Sequence, residues 1–323
     1  MHSIEQLQGL INKAINDTKY TEEPVELYEP ISYLMQLGGK RMRPVLVLVS
    51  TELFGGQVEK ALDAAIGIEI FHNFTLMHDD IMDKAPIRRG KATVHVKWNE
   101  SAAILSGDVM FVEAYKLMIK VEDSILRDVL AIFSDTASGV CQGQQADMNF
   151  ESRNDVSLAE YLEMIRQKTA VLLAGSMQIG ALIGGAPKDQ AELLYEFGEN
   201  LGLAFQLQDD ILDVYGDPEK FGKQVGGDIL SNKKTFMLIK AKELATGNIA
   251  DELNQWIERN DNPTAKVEAI TNIYNQLKVR KLAESVMEDY VQTALDALAK
   301  IEVESNKKNL LRGFAEQLLI REQ

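Results

Sequence analysis

The chain has 323 residues, 46% apolar and 26% charged, with a formal net charge of −15. That balance belongs to a folded globular protein, and the acidic total argues against a nucleic-acid partner, which would need a basic face. A single cysteine, Cys141, excludes an intrachain disulfide framework and a four-cysteine zinc site, and it fits a reducing cytoplasm.

The N-terminal stretch MHSIEQLQGLINKAINDTKY mixes polar and charged positions with spaced apolar ones. It lacks a basic start followed by an apolar run, so no secretory leader is expected. No apolar stretch reaches the roughly 18 residues that span a bilayer, so stable membrane insertion is not expected either. At residues 38–44, GGKRMRP gathers Lys40, Arg41 and Arg43 behind two glycines. Residues 45–50, VLVLVS, are β-branched enough for a strand. The apolar run nevertheless continues to Leu53 and Phe54 and stops at Gly55-Gly56, as helices stop, and a buried helix is predicted. Residues 57–82 carry Leu62, Ala65, Ile66, Ile70, Phe74, Met77 and Ile81 at helical spacing. KAPIRRGKA at 84–92 reads as a loop. Helical periodicity returns over 101–120, 124–149, 157–184, 189–215, 232–246 and most of 263–320. Asp217-Pro218 with Gly222, Gly226 and Gly227 marks a second loop. These elements predict an all-α protein, one domain over 1–323, of about a dozen helices.

Two short stretches stand out. LMHDDIMD at 76–83 and LQDDILD at 207–213 each set three aspartates in an apolar, helical run. Residues four apart share a helix face, so Asp79 and Asp83 project together with Asp80 beside them, and Asp209, Asp213 and Asp210 repeat the pattern. Like charges so placed destabilise a helix by roughly 0.2–0.5 kcal/mol per pair, and apolar surroundings add to that. A divalent cation removes the repulsion, and oxygen ligands without sulfur or paired imidazoles suit Mg²⁺, with Mn²⁺ as a substitute, rather than zinc. One such stretch alone could be a solvated acidic helix end. Two copies, each followed by a cation-bearing loop, point instead to metal shared with a polyphosphate. Arg88 and Arg89, Lys40 and Arg43, Lys168, Lys223, and Lys233 with Lys234 supply positive charge for phosphate.

Taken in order, GGKRMRP, HNFTLMHDDIMD with IRRGKATVH, RQKTA, and FQLQDDILDVYGD with FGK and NKKTF resemble the trans-isoprenyl diphosphate synthases of the polyprenyl synthetase family. The likeness spans residue 38 to about residue 236. It implies an all-α bundle around a central cavity, a homodimer, and a reaction that joins isopentenyl diphosphate to an allylic diphosphate. It further implies metal binding by Asp79, Asp80, Asp83, Asp209, Asp210 and Asp213. Asp79, Asp83, Asp209, Arg88 and Lys168 would be the catalytic residues. Lys40, Arg43, His72 and Arg89 would bind isopentenyl diphosphate, and Arg88, Lys168, Thr169, Gln206, Lys223 and Lys233 the allylic diphosphate. SNKKTFM departs from the usual form of its motif, which leaves open which of Lys233 and Lys234 meets phosphate.

Product length is expected to depend on Phe74, Thr75 and Phe71. Phe74 lies five residues before Asp79, roughly 7.5 Å along a helix, and an aromatic ring at that depth acts as a floor to the growing chain. The resemblance, in which an aromatic residue at this position goes with short products, implies geranylgeranyl diphosphate as the product and farnesyl diphosphate as the alternative. A class I terpene cyclase would carry an Asn/Ser/Glu pattern in place of the second aspartate set and would not need GGKRMRP. A non-catalytic partner subunit would lack aspartates from one set.

Overall fold

The computed structural model describes residues 1–217, 225–259 and 261–320. The chain is almost entirely helical. In order, the helices are α1 (Ile4–Asp17), α2 (Val25–Gln36), α3 (Met42–Leu53), α4 (Val58–Met82), α5 (Val94–Lys97), α6 (Glu100–Met118), α7 (Asp123–Glu151), α8 (Leu158–Ile165), α9 (Val171–Ile183), α10 (Lys188–Tyr215), α11 (Gly227–Leu230), α12 (Phe236–Leu244), α13 (Asn248–Glu258), α14 (Pro263–Gln276), α15 (Val279–Lys300) and α16 (Asn309–Ile320). A single π-helical turn, Arg166–Ala170, joins α8 to α9, and a 3₁₀ turn, Ser305–Lys308, precedes α16. No helix among the described residues is long and apolar enough to cross a membrane.

Sequence signals set many of the boundaries. Ser3 and Gln6 form a capping box at the start of α1, and Ser157 with Glu160 forms another at α8. Asn99 and Asn262 cap α6 and α14. The β-branched run VLVLVS is helical, as its glycine stop indicates. Gly55, at φ 87°, lets its N–H reach Glu52 O, and Gly56 N–H reaches Thr51 O. These two bonds are the Schellman closure of a helix. Burial on every side of α3, from Pro44 to Leu53, outweighs its weak helix propensity.

Two features differ from expectation. The 84–92 loop contains a hairpin, β1 (Ile87–Arg88) and β2 (Lys91–Ala92), the only sheet among the described residues. Its two-residue turn places Arg89 and Gly90 at φ 51° and 74°, the arrangement that suits the twist of a tight hairpin. The expected helix over 157–184 is interrupted by the π turn, which no apolar periodicity announces.

Backbone contacts divide the chain into two compact units. One comprises Met1–Asp135 with Gly175–Leu194, the other Thr136–Ala174 with Tyr195–Gln323. In the first, α4 packs on α3 and α6, and α1 and α2 cover these. Helix α4 has apolar residues all round and buries most of them, including Ile66, Ile70, Phe71 and Met77. In the second unit α8 packs on α12, and α14 and α15 on α12 and on each other.

Candidate active site

The first unit carries one set of predicted residues on and around the C-terminal half of α4. Asp80 is buried, and its two carboxylate oxygens accept from Arg88 Nε at 2.9 and 2.8 Å. Arg88 Nη2 lies 2.8 Å from Asp80 and 3.9 Å from Asp79. The first aspartate set is therefore not three equivalent carboxylates. The middle one faces inward and fixes the hairpin arginine, while Asp79 is partly exposed and Asp83, at the end of α4, is exposed.

Three turns back along the same surface, Arg43 Nη1 lies 3.2 Å from His72 Nε2. Burial and the charges of Arg43, Arg89, Arg88 and Arg41 hold the His72 imidazole well below its ordinary pKa. A neutral ring therefore accepts from Arg43 through Nε2. Burial also lowers the Arg43 guanidinium, against the opposing pull of Glu69. Arg89 reaches back from the hairpin to donate to Gly38 O, and its guanidinium lies flat against Gly39. A side chain on Gly39 would meet that group at 3.0 Å, and Gly39 itself stands at φ 140°, so the pair of glycines is what lets arginine approach the backbone. The exposed Lys40 follows. Its place in GGKRMRP groups Arg41 with these cations. It is instead 5% exposed and pairs with Glu69, a residue not singled out. A charge in the apolar run IGIEIFHNF was the available signal, because a buried carboxylate must be paired.

Phe74 is buried and stacks on Phe111 of α6, with ring centroids 5.1 Å apart and planes within 3°. Phe71 lies 5.6 Å from Phe74 and 5.5 Å from Phe111, and His78 lies 4.7 Å from Phe74. Thr75 is partly exposed, with its hydroxyl donating to His72 O. Phe111 was not anticipated, since its sequence neighbourhood is unremarkable helix.

The second unit carries the other set. The π turn presents Lys168 and Thr169. Lys168 Nζ is 2.5 Å from Asp147 of α7, and Thr169 Oγ1 donates to Gln206 Oε1 at 3.4 Å. Lys233 Nζ is 4.0 Å from the same Asp147 oxygen, whereas Lys234 Nζ donates to Glu151 O. The lysine that joins Lys168 is thus Lys233. Asp210 is buried, accepting from Tyr161 Oη and from Phe236 N at 3.2 Å. Burial, reinforced by Asp228, pushes its carboxyl up to about 7 against those bonds and Lys233. Asp213 accepts from Asp228 N at 3.0 Å, and Asp209 is partly exposed. The second aspartate set therefore repeats the first, with the middle residue engaged inside the unit. Lys223 lies outside the described residues.

Among the described residues no three carboxylate, imidazole or thiolate side chains already converge as a closed metal cage. The donor set suits a cation that takes one or two carboxylates from the protein and completes its shell with phosphate and water, as Mg²⁺ does.

These features agree with comparisons to known proteins. A model of the polyprenyl synthetase family matches residues 24–276. A geranylgeranyl diphosphate synthase of Methanosarcina mazei is 38% identical over 321 residues, covering 99% of this chain and 97% of that protein. A crystal structure of a geranylgeranyl pyrophosphate synthase, 42% identical, superposes with a TM-score of 0.95 and 100% coverage of both chains. The geranylgeranyl pyrophosphate synthetase from Pyrococcus horikoshii, 33% identical, gives 0.92 over 99% of this chain and 97% of its own. The chain belongs to the polyprenyl synthetase family. It is a prenyltransferase, a trans-isoprenyl diphosphate synthase of the short-chain type.

Proposed function

We propose that the chain condenses isopentenyl diphosphate with an allylic diphosphate in a Mg²⁺-dependent reaction, and that its main product is geranylgeranyl diphosphate. One observation carries this reading. Within twelve residues α4 aligns His72 beside Arg43, Phe74 against Phe111, and the outward carboxylates Asp79 and Asp83. An anion subsite, an apolar floor and a metal-ready edge on one helix suit a substrate with a charged head and a growing hydrocarbon tail.

In this reading Asp79 and Asp83 would hold metal at the first aspartate set, and Asp209 with Asp213 at the second. Bound Mg²⁺ would supply Lewis-acid stabilisation of a departing diphosphate. Arg88 and Lys168 meet the negative charge that builds on that leaving group, and they do so preorganised by Asp80 and Asp147. Thr169, Gln206 and Lys233 orient the allylic head. The allylic C–O bond ionises to an allylic cation, and Lys40, Arg43, His72 and Arg89 hold isopentenyl diphosphate so that its double bond attacks that cation. The released diphosphate accepts the final proton. Phe74 limits the tail, and the relatives named as geranylgeranyl diphosphate synthases support a twenty-carbon product.

The same reading includes a homodimer in a reducing cytoplasm. Helix α6 exposes Ile104, Leu105 and Val112 at 45, 57 and 54%, and its C-cap Ile119 is 53% exposed, which gives seven-residue steps from 105 to 119. Such a stripe suits a helix of a second copy.

The test is a product assay. Protein, Mg²⁺ and labelled isopentenyl diphosphate are combined with dimethylallyl, geranyl or farnesyl diphosphate, and dephosphorylated products are resolved by length. A twenty-carbon product that EDTA abolishes is expected. No incorporation from any starter would overturn the reading.

A further inference from the structure

Three of four successive residues in the loop before α3 have left-handed backbones: Gly38 at φ 78°, Gly39 at φ 140° and Arg41 at φ 51°. Glycine adopts such angles freely, but arginine does so at a cost and must be held there. Arg41 is held from inside. Its Nη1 donates to Glu69 Oε1 of α4, and its Nη2 donates to Met35 O at the end of α2, 2.7 Å away. Both side chains of the Arg41–Glu69 pair are 3% exposed. Asn73, fully buried one turn further along α4, donates to the same Glu69 oxygen at 2.9 Å and to Glu69 O at 2.8 Å. The carboxylate is thus oriented before Arg41 reaches it.

Two rungs then connect the loop to one helix. Arg41 meets Glu69, and Arg43 meets His72, three residues later on α4. The first rung is buried and the second is part-buried. Because the rungs share a short chain, the inner pair sets where Arg43 and Lys40 stand relative to His72. Arg89 adds to the same arrangement by bonding Gly38 O. Glu69 also offsets, from behind, the positive charge concentrated at Arg43 and Arg89.

We propose that Glu69, through Arg41, is a positioning residue for the anion subsite formed by Lys40, Arg43, His72 and Arg89. Glu69 touches no substrate. It keeps the loop in its left-handed course so that the guanidinium of Arg43 and the ring of His72 present one preformed surface to a diphosphate. This rests on the assignment of that subsite to isopentenyl diphosphate.

The test is equilibrium binding of isopentenyl diphosphate in EDTA, by calorimetry, so that neither metal nor turnover is involved. Three proteins are compared: wild type, Glu69→Gln, and the double variant R41M/E69L. The double variant replaces a buried ion pair by apolar groups of similar size, an exchange that is often neutral or stabilising. Thermal denaturation shows that each variant is folded. The wild type is expected to bind. Both variants are expected to bind about tenfold or more weakly, the loss anticipated when a charged hydrogen-bonding group is displaced. Their affinity for inorganic diphosphate in Mg²⁺, which reports the aspartate sites, should stay within about twofold. Equal affinity for isopentenyl diphosphate in all three proteins overturns the proposal, as does absence of binding to the wild type. A wild type that binds but forms no product with an allylic partner leaves Glu69 in this role and overturns the synthase reading instead.

Discussion

Lys168 Nζ lies 2.5 Å from Asp147 Oδ2, and Lys233 Nζ lies 4.0 Å from the same oxygen. One carboxylate on α7 thus gathers two cations proposed to meet the allylic diphosphate. Asp147→Ala removes the carboxylate that both side chains share. Because the Lys168 side chain is a quarter exposed, the pair contributes about 1 kcal/mol or less to stability. Misplaced cations cost more in catalysis, and kcat/KM should fall about 100-fold. Steady-state kinetics beside urea denaturation would separate the two. A loss of stability with unchanged kcat/KM would remove Asp147 from the site.

The π turn that carries Lys168 packs against a residue with no side chain. A Cβ on Gly143 would stand 2.2 Å from Lys168 N and 2.6 Å from its Cα. Both are backbone atoms, so no side-chain movement relieves the clash. Gly143→Ala should therefore displace the turn and cut kcat by about 100-fold, with a smaller effect in Gly139→Ala. A Cβ at 139 first meets Val171 at an ordinary 3.4 Å. Equal activities of the two variants would show that the turn tolerates movement.

The helices and the two aspartate stretches were legible because periodicity and residue type report burial and charge directly. The Gly55-Gly56 stop was legible for the same local reason, whereas the caps Ser3, Ser157 and Asn262 were not singled out. The π turn was not legible, since the close approach of its backbone to Gly143 and Gly202 joins distant parts of the chain. Nor did the sequence distinguish Asp80 and Asp210 from their neighbours. Which carboxylate of three turns inward depends on where Arg88 and Tyr161 arrive, and those are tertiary facts.

Asp79 and Asp210 should respond oppositely to substitution. Asp79 is partly exposed, and Asp79→Ala should abolish turnover, by about a thousandfold or more, at saturating Mg²⁺. Its unfolding free energy should move by less than about 0.5 kcal/mol. Asp210→Ala strands the Tyr161 hydroxyl and the Phe236 N–H inside the protein. It should destabilise the fold by about 2–4 kcal/mol. Denaturant titration of the two variants side by side checks the contrast. Near-normal turnover of Asp79→Ala would sink its assignment as a metal ligand.

His72 gives a pH dependence of definite sign. Its folded pKa lies well below 6.5, by burial first and then by Arg43, Arg89, Arg88 and Arg41. An unfolded chain would take up a proton at about 6.5, where the folded one does not. The contribution of His72 to stability is therefore present above that value and lost as pH falls from about 6.5 toward the folded pKa. NMR titration of the ring should show it still neutral where an ordinary imidazole has taken up its proton. Added isopentenyl diphosphate, in EDTA, should raise its pKa, because an anion bound at this subsite offsets the four arginines. A ring that titrates at its ordinary value in the free protein would contradict both expectations.

Phe74 is wedged between Phe111 at 5.1 Å, Phe71 at 5.6 Å and His78 at 4.7 Å. A ring so held cannot swing aside for a longer tail, because closely packed neighbours leave it no alternative rotamer. Phe74→Ala should destabilise the protein by about 3–5 kcal/mol and lengthen the product by at least one five-carbon unit. Phe74→Leu keeps most of the volume and should shift the product distribution less. The two effects have different origins. Stability follows the size of the void, whereas product length follows whether the void opens toward the Asp79 end of α4. Chromatography of dephosphorylated products from both variants, with thermal denaturation of each, distinguishes them. A destabilised Phe74→Ala that still stops at the wild-type length would mean that the floor is built by residues other than Phe74.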